Sequence, residues 1–235
     1  MSFLTAGWRK LILANYEIDP ELLMPYLPDK TELDTWNGVH YVSLVGFMFV
    51  DVKVLGVPVP FYVNFEEVNL RFYVKHKSAG EWKRGVVFIK EIVPKAAVTF
   101  IANTLYNEHY ETRSMRHHWV TEGEQQRIAY SWDHGGQIQS MEVLADSALA
   151  PILPGSEEEF ITEHYWGYTR VQDGKTFQYE VRHPRWEHYP IIKHKLAVDF
   201  SLVYGEAFQH LNDIAPRSVM LAEGSAITVE GKRRL

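Results

Sequence analysis

Between Asn64 and His118 the chain reads FEEVNLRFYV (Phe65–Val74) and then RGVVFIKEIVPKAAVTFIANTLYNEHYETRSMRH (Arg84–His117). Strand alternation over the first block puts Phe65, Glu67, Asn69, Arg71 and Tyr73 on one face. Glu66, Val68, Leu70, Phe72 and Val74 take the other. The spacing predicts a hairpin of Phe61–Lys75 with Trp82–Val93, turned around Ser78-Ala79-Gly80. Pro94 then opens a helical period with Ala97, Phe100, Ile101, Thr104 and Leu105 on one side. The polar segment that follows, His109–Met115, contains no lysine.

Working outward, Asp19-Pro20-Glu21 is a helix start, with Asp as N-cap and Pro in the first position, and Pro28 stops that helix after about Tyr26. Asn37-Gly38 predicts a hairpin of Thr31–Trp36 with Val39–Val50. Tyr41–Val50 is apolar on both faces, which predicts a strand covered on both sides. Further on, Glu122-Gly123 separates two strands, Ser156–Glu159 fits a capping box, and Asp173-Gly174 marks another hairpin. Ile191–Asp199, Ser218–Leu221 and Ser225–Glu230 are the last expected strands. Many strands, few short helices and no linker or repeat predict one mainly β (α+β) domain over residues 1–235. The expected form is a mostly antiparallel, closed or nearly closed barrel, with a two-sheet sandwich as the competing arrangement.

Composition narrows the partners. The 235 residues carry a net charge of −6, and the only basic run is Lys232-Arg233-Arg234, which excludes a phosphate-backbone partner. The apolar run Leu11–Tyr16 is too short for a signal core, and no run reaches the ~20 residues of a membrane helix. A soluble cytoplasmic protein is therefore expected, with no membrane partner and a homo-oligomer left open. With no cysteine, neither a disulfide nor a thiolate nucleophile is available. The 12 Phe, 13 Tyr and 7 Trp favour strands and a ring-lined pocket.

FEEVNLRFYV, GVVFIKEIVPK, YNEHYETRSMRH, EEEFITEHYWGYTR and LAEGSAITV together resemble the uncharacterised YqjF-like family, over nearly the full length. That family is in turn distantly similar to acetoacetate decarboxylase. The resemblance implies a cone-shaped β-barrel around a small-molecule cavity. In the decarboxylase a lysine pair follows the helix, and one lysine forms a Schiff base while the other lowers its pKa. Here the stretch reads His109-Tyr110-Glu111-Thr112-Arg113-Ser114-Met115, with Arg and Ser near the place of the pair. Arginine stays protonated and serine cannot form a Schiff base, so the resemblance does not carry the decarboxylation over. It does imply a pocket glutamate at Glu67.

From the residues alone, the Glu67–Arg71 face is either solvated or turned into a barrel lumen. If residue numbers across the hairpin sum to 157, Glu67 meets Lys90 as an ion pair; if to 158, it meets Glu91 as a carboxylate dyad. Lys90, in an apolar strand, is the fallback for a displaced amine. Arg71 and Arg113 are the candidate carboxylate anchors. Asn69, Tyr106, His109 and Tyr110 are the further candidate ligand contacts. The 11 histidines show no HExxH or similar spacing, so no metal and no other cofactor is expected. Three functions fit: binding of a small, anionic organic molecule; an enzyme using Glu67 with Arg71 for acid/base chemistry on a small carbonyl or hydroxy acid; or a non-catalytic assembly module.

Overall fold

The computed structural model describes residues 2–101, 103, 109–171 and 174–235. Its large sheet runs in the order Ser218–Val229, Leu4–Glu17, Tyr41–Val54, Phe65–Ser78, Glu81–Val93, Trp166–Arg170 and Thr176–Arg182. The last of these returns to the first through Val181↔Val229 and Arg182↔Thr228. Closure by those residue pairs makes a roughly cone-like ring, the nearly closed barrel expected from the turn pattern. Pairing is antiparallel except where Trp166–Arg170 and Tyr110–Thr112 lie parallel to Glu81–Val93.

A second sheet of Met115–Glu122, Gln125–His134, Gln137–Asp146 and Ile191–Ala197 covers one side of the ring. Its Ile128, Tyr130, Trp132, Met141 and Val143 pack with Val42, Leu44, Val68, Leu70 and Phe72 in one apolar core. Phe47, Phe49, Phe65, Tyr73, Phe160, Val181 and Trp186 form the other, inside the ring. Tyr41–Phe49 is buried at every position, as its two-sided apolar pattern requires. The Phe65–Ser78 strand is also enclosed on both faces as far as Val74. Its even-numbered Val68–Val74 side chains enter the first core, and its odd-numbered ones face the ring interior.

Local chemistry sets the joints. Ser78↔Glu81 closes a two-residue turn with Ala79 at φ +51° and Gly80 at φ +87°, the mirror-image turn whose twist suits a hairpin. Ser156 Oγ accepts from Glu159 N at 3.2 Å and caps the short helix Glu157–Thr162. The Pro94 period appears as the helix Ala96–Ile101; Thr104 and Leu105 lie outside the described residues.

Three sequence expectations change. The Asp19 helix is two 3₁₀ turns, Pro20–Leu22 and Met24–Tyr26, because Pro25 has no N–H to carry an α-helix through. The Asn37-Gly38 turn forms only the isolated bridge Trp36↔Val39, and Glu32–Leu33 pairs with Val74 and Lys75 instead. Both edges of Tyr41–Val54 are already taken by Leu4–Glu17 and Phe65–Ser78. The two C-terminal strands are one strand, Ser218–Val229, which passes through Gly224. Gly224 sits at φ +79°, and a Cβ there would lie 2.2 Å from the Trp8 carbonyl oxygen. Gly224→Ala should therefore destabilise the fold by on the order of 3 kcal/mol, from left-handed strain plus a backbone clash, measured by urea unfolding. Unchanged stability would mean that this seam of the ring tolerates displacement.

Candidate functional site

The ring encloses a cavity of about 230 Å³. Trp8, Phe47, Phe49, Phe65, Phe88 and Trp186 give it aromatic walls, which line the space without filling it. Against these walls stand Glu67, Asn69, Arg71, Glu91, Tyr110 and His164. The polar face of FEEVNLRFYV is therefore not solvated: Glu67, Asn69 and Arg71 are 2%, 1% and 8% exposed. Alternation at fixed pleat leaves such residues no other direction once Val68, Leu70 and Phe72 are committed to the opposite core.

The hairpin register matches neither expected sum. Val68 lies opposite Ile92, Asn69 opposite Glu91 and Leu70 opposite Lys90; a bulge between Leu70 and Arg71 then puts Arg71 opposite Phe88. Glu91 consequently shares the interior face with Glu67 without being its direct partner. Lys90 goes to the other face, where it meets the Val203 carbonyl and lies 3.2 Å from Glu111. Every lysine of the chain is among the described residues, and none lines the cavity.

Tyr110 enters on the next strand, in parallel register with Glu91. Asn103 fixes it there: its Nδ2 donates to Tyr110 O at 2.9 Å, and its Oδ1 accepts from Tyr110 N at 2.8 Å. The Tyr110 hydroxyl donates to Glu67 Oε2 at 3.1 Å, and Asn69 Nδ2 donates to Glu67 Oε1 at 2.8 Å. Both oxygens of Glu67 are thereby held in orientation. Burial, reinforced by the charges of Glu67 and Glu91, pushes the Tyr110 hydroxyl well above its ordinary range, so it stays a donor.

Arg71 is placed differently. Its Nε is buried without a hydrogen-bond partner, and no carboxylate among the described residues comes within ion-pair distance. Its guanidinium carbon sits 5.8 Å from the centre of the Tyr73 ring. Burial also pushes the cavity-lining histidines His164 and His183 below the ordinary imidazole range. Arg71 is then the sole cationic side chain among the described lining residues at neutral pH.

Of the remaining predicted positions, His109 and Arg113 are not drawn into this space. His109 has an exposed side chain and contributes its carbonyl, which accepts from Glu91 N at 3.1 Å. Arg113 pairs with Glu111, beside Lys90. Neither lines the cavity. Tyr106 lies outside the described residues.

Sequence reasoning missed His164 and Asp34, which are 130 residues apart. His164 Nε2 lies 3.3 Å from Asp34 Oδ2, and Arg84 Nε lies 2.6 Å from the same oxygen. Burial opposes ionisation of Asp34, but the hydrogen bonds from His164 and Arg84 outweigh it and bring the pKa down to about 2. Burial pushes His164 down to about 4, against the pull of Asp34. The EEEFITEHYWGYTR run was the available signal, since it carries His164 between Phe160 and Trp166.

These two shifts have the same sign for stability. His164 contributes stability that is full above its ordinary 6.5 and lost as pH falls toward 4; Asp34 loses its share between 3.8 and about 2. The His164 share is on the order of 3 kcal/mol. Urea unfolding at stepped pH should show wild-type stability falling from pH 6.5 to 4, with a clearly shallower fall in His164→Gln. Parallel curves for the two proteins would remove His164 as the source.

The family model for DUF2071, described as an uncharacterised conserved protein, matches residues 5–226. The uncharacterised protein YqjF of Bacillus subtilis (strain 168) is 26% identical over 186 residues, covering 76% of this chain and 72% of that protein. Among solved structures, acetoacetate decarboxylase from Legionella pneumophila aligns with a TM-score of 0.64 at 14% identity, over 99% of this chain and 86% of that one. An acetoacetate decarboxylase-like enzyme from Sphingomonas wittichii RW1 aligns with a TM-score of 0.67 at 12% identity, over 100% and 93%. The enduracididine biosynthesis enzyme MppR, complexed with pyruvate, gives 0.66 at 12% identity, over 100% and 91%. At these identities the structural likeness establishes the fold alone. No helix among the described residues is long and apolar enough to cross a membrane.

Proposed function

As the chain belongs to the DUF2071 family and has the acetoacetate decarboxylase-like fold, we propose that its cavity binds a small organic acid, with the carboxylate on Arg71 and an apolar body against the aromatic walls. One observation carries this reading: a buried guanidinium with no carboxylate among the described residues in ion-pair distance, on a residue that lines an open space. An isolated buried charge costs several kcal/mol, and an anion entering the cavity removes much of that penalty. A guanidinium takes a carboxylate through two parallel hydrogen bonds, which orients the ligand as well as holding it. The pyruvate bound in MppR is an acid of this class. No lysine among the described lining residues stands ready for Schiff-base chemistry.

A second reading, acid/base catalysis on a bound carbonyl or hydroxy acid, is favoured by the Tyr110 hydroxyl between two carboxylates. Glu67, oriented by Asn69 and Tyr110, would be the proton-transferring group, and Arg71 would hold the substrate. Exchange of the hydrogens next to a keto group for deuterium, followed by NMR and absent in Glu67→Gln, would support this reading; no exchange above the buffer rate would leave binding alone.

The binding claim is tested by a thermal-shift screen of small carboxylic acids, ketones and amines. Acids should raise the melting temperature and the other classes should not. Arg71→Met should weaken acid binding roughly 100-fold, as loss of a two-point charged contact does. The same variant without ligand should be more stable than wild type by about 1–3 kcal/mol, because it removes an uncompensated charge. Acid binding that survives in Arg71→Met would overturn the assignment. Borohydride treatment with pyruvate should leave the protein's mass unchanged.

A further inference from the structure

Beside Arg71, two further residues that line the cavity carry a buried acceptor without a partner, Asn69 at Oδ1 and His164 at Nδ1. His164 lines the cavity with a side chain only 1% exposed, and its Nδ1 is buried without a hydrogen-bond partner. Its tautomer follows from its neighbours. Asp34 Oδ1 accepts from Thr35 N at 3.0 Å, and Oδ2 accepts from Arg84 Nε at 2.6 Å, so this carboxylate is ionised and acts only as an acceptor. The imidazole must therefore carry its proton on Nε2, which donates to Asp34 at 3.3 Å. Nδ1 is left with a bare lone pair.

The neighbouring hydroxyls are already engaged. Thr162 Oγ1 donates to the Glu158 carbonyl at 2.7 Å. The Tyr73 hydroxyl lies 2.7 Å from Ser43 Oγ, which itself donates to Asn15 Oδ1 at 2.6 Å. Because Ser43 spends its proton on Asn15, the Tyr73 proton goes to Ser43. The Tyr73 ring nonetheless lies against both His164 and Arg71: its centre is 4.7 Å from that of the His164 ring and 5.8 Å from the Arg71 guanidinium carbon. A donor-seeking nitrogen and an anion-seeking guanidinium thus share one aromatic neighbour.

We infer that His164, positioned by Asp34, is a specificity-determining residue that accepts a hydrogen bond from a hydroxyl of the bound acid, so that the ligands of this site are hydroxy acids. This rests on the carboxylate reading for Arg71 and narrows it. A hydroxyl supplies the one donor that Nδ1 lacks, whereas a plain acid leaves the acceptor buried and unsatisfied. Asp34 is a positioning residue: it sets which imidazole nitrogen holds the proton and never needs to touch the ligand.

Isothermal titration calorimetry with hexanoate, 2-hydroxyhexanoate, 3-hydroxyhexanoate and 2-oxohexanoate tests this on the full chain. At least one hydroxy acid should bind wild type roughly 10-fold to 100-fold tighter than hexanoate. In His164→Phe that ratio should fall to about one, with hexanoate affinity little changed. His164→Leu is the second variant, usable if the first does not fold. It too removes the acceptor, so the hydroxyl preference should vanish there as well, and 2-oxohexanoate, with no hydroxyl proton to give, should show no gain that depends on His164. A merely structural role for His164 would lower all affinities together and leave the ratios intact. If hexanoate and both hydroxy acids bind wild type equally, or the preference survives in both variants, this inference fails while the Arg71 reading stands. If none of the four acids binds, both fall.

Discussion

A strand segment covered on both faces has no side chain free to reach bulk water, and the Val68–Val74 segment of Phe65–Ser78 is covered on both. One face is committed to the apolar core under the second sheet, through Val68, Leu70, Phe72 and Val74. The polar residues between them, Glu67, Asn69 and Arg71, are then forced into the ring interior, where each must be satisfied by protein or by ligand. Glu67 is met by Asn69 and Tyr110. Arg71 is not met by any carboxylate among the described residues. The difference between those two outcomes defines the site, and the rest of the ring serves to impose the burial that creates it.

The ring also sorts its charges. Lys90 and Glu91 are adjacent in sequence, yet the pleat sends Glu91 inward and Lys90 outward to Glu111 and the Val203 carbonyl. The interior keeps carboxylates, one guanidinium and histidines whose burial holds them neutral. No lysine among the described residues lines this interior, although the fold is shared with acetoacetate decarboxylase. The ring depends on apolar alternation, which sets the fold without setting the chemistry of its interior.

Much of the ring was legible from the sequence, because it follows from local rules. The turn at Ala79-Gly80, the two-sided apolar run Tyr41–Phe49 and the alternation in FEEVNLRFYV each act over a few residues. The facing of Glu67, Asn69 and Arg71 was readable as a common face, while its enclosure depended on a second sheet that no local pattern announces. The partner of Glu67 was not readable, since the turn pairs Ser78 with Glu81, a register already beyond either expected sum, and the bulge between Leu70 and Arg71 shifts it by one residue more. Asp34 and His164 escaped because the aromatic run around His164 says nothing of its partner 130 residues away; only the closed ring brings Arg84, Asp34 and His164 together. The expected Asn37-Gly38 hairpin failed for a related reason, as strands distant in sequence had claimed both edges of Tyr41–Val54.

The central claim is that the Arg71 guanidinium receives the ligand's carboxylate, and its own resonance reports this most directly. In a ¹⁵N-labelled sample, the Arg71 Nε–H signal can be assigned by its loss in Arg71→Met and followed during titration with hexanoate and 2-hydroxyhexanoate. A saturable shift of that signal, larger than the shift of any other arginine, is predicted. Binding of the acids with the Arg71 signal unmoved, or a signal that never shifts at any acid concentration, would contradict the account.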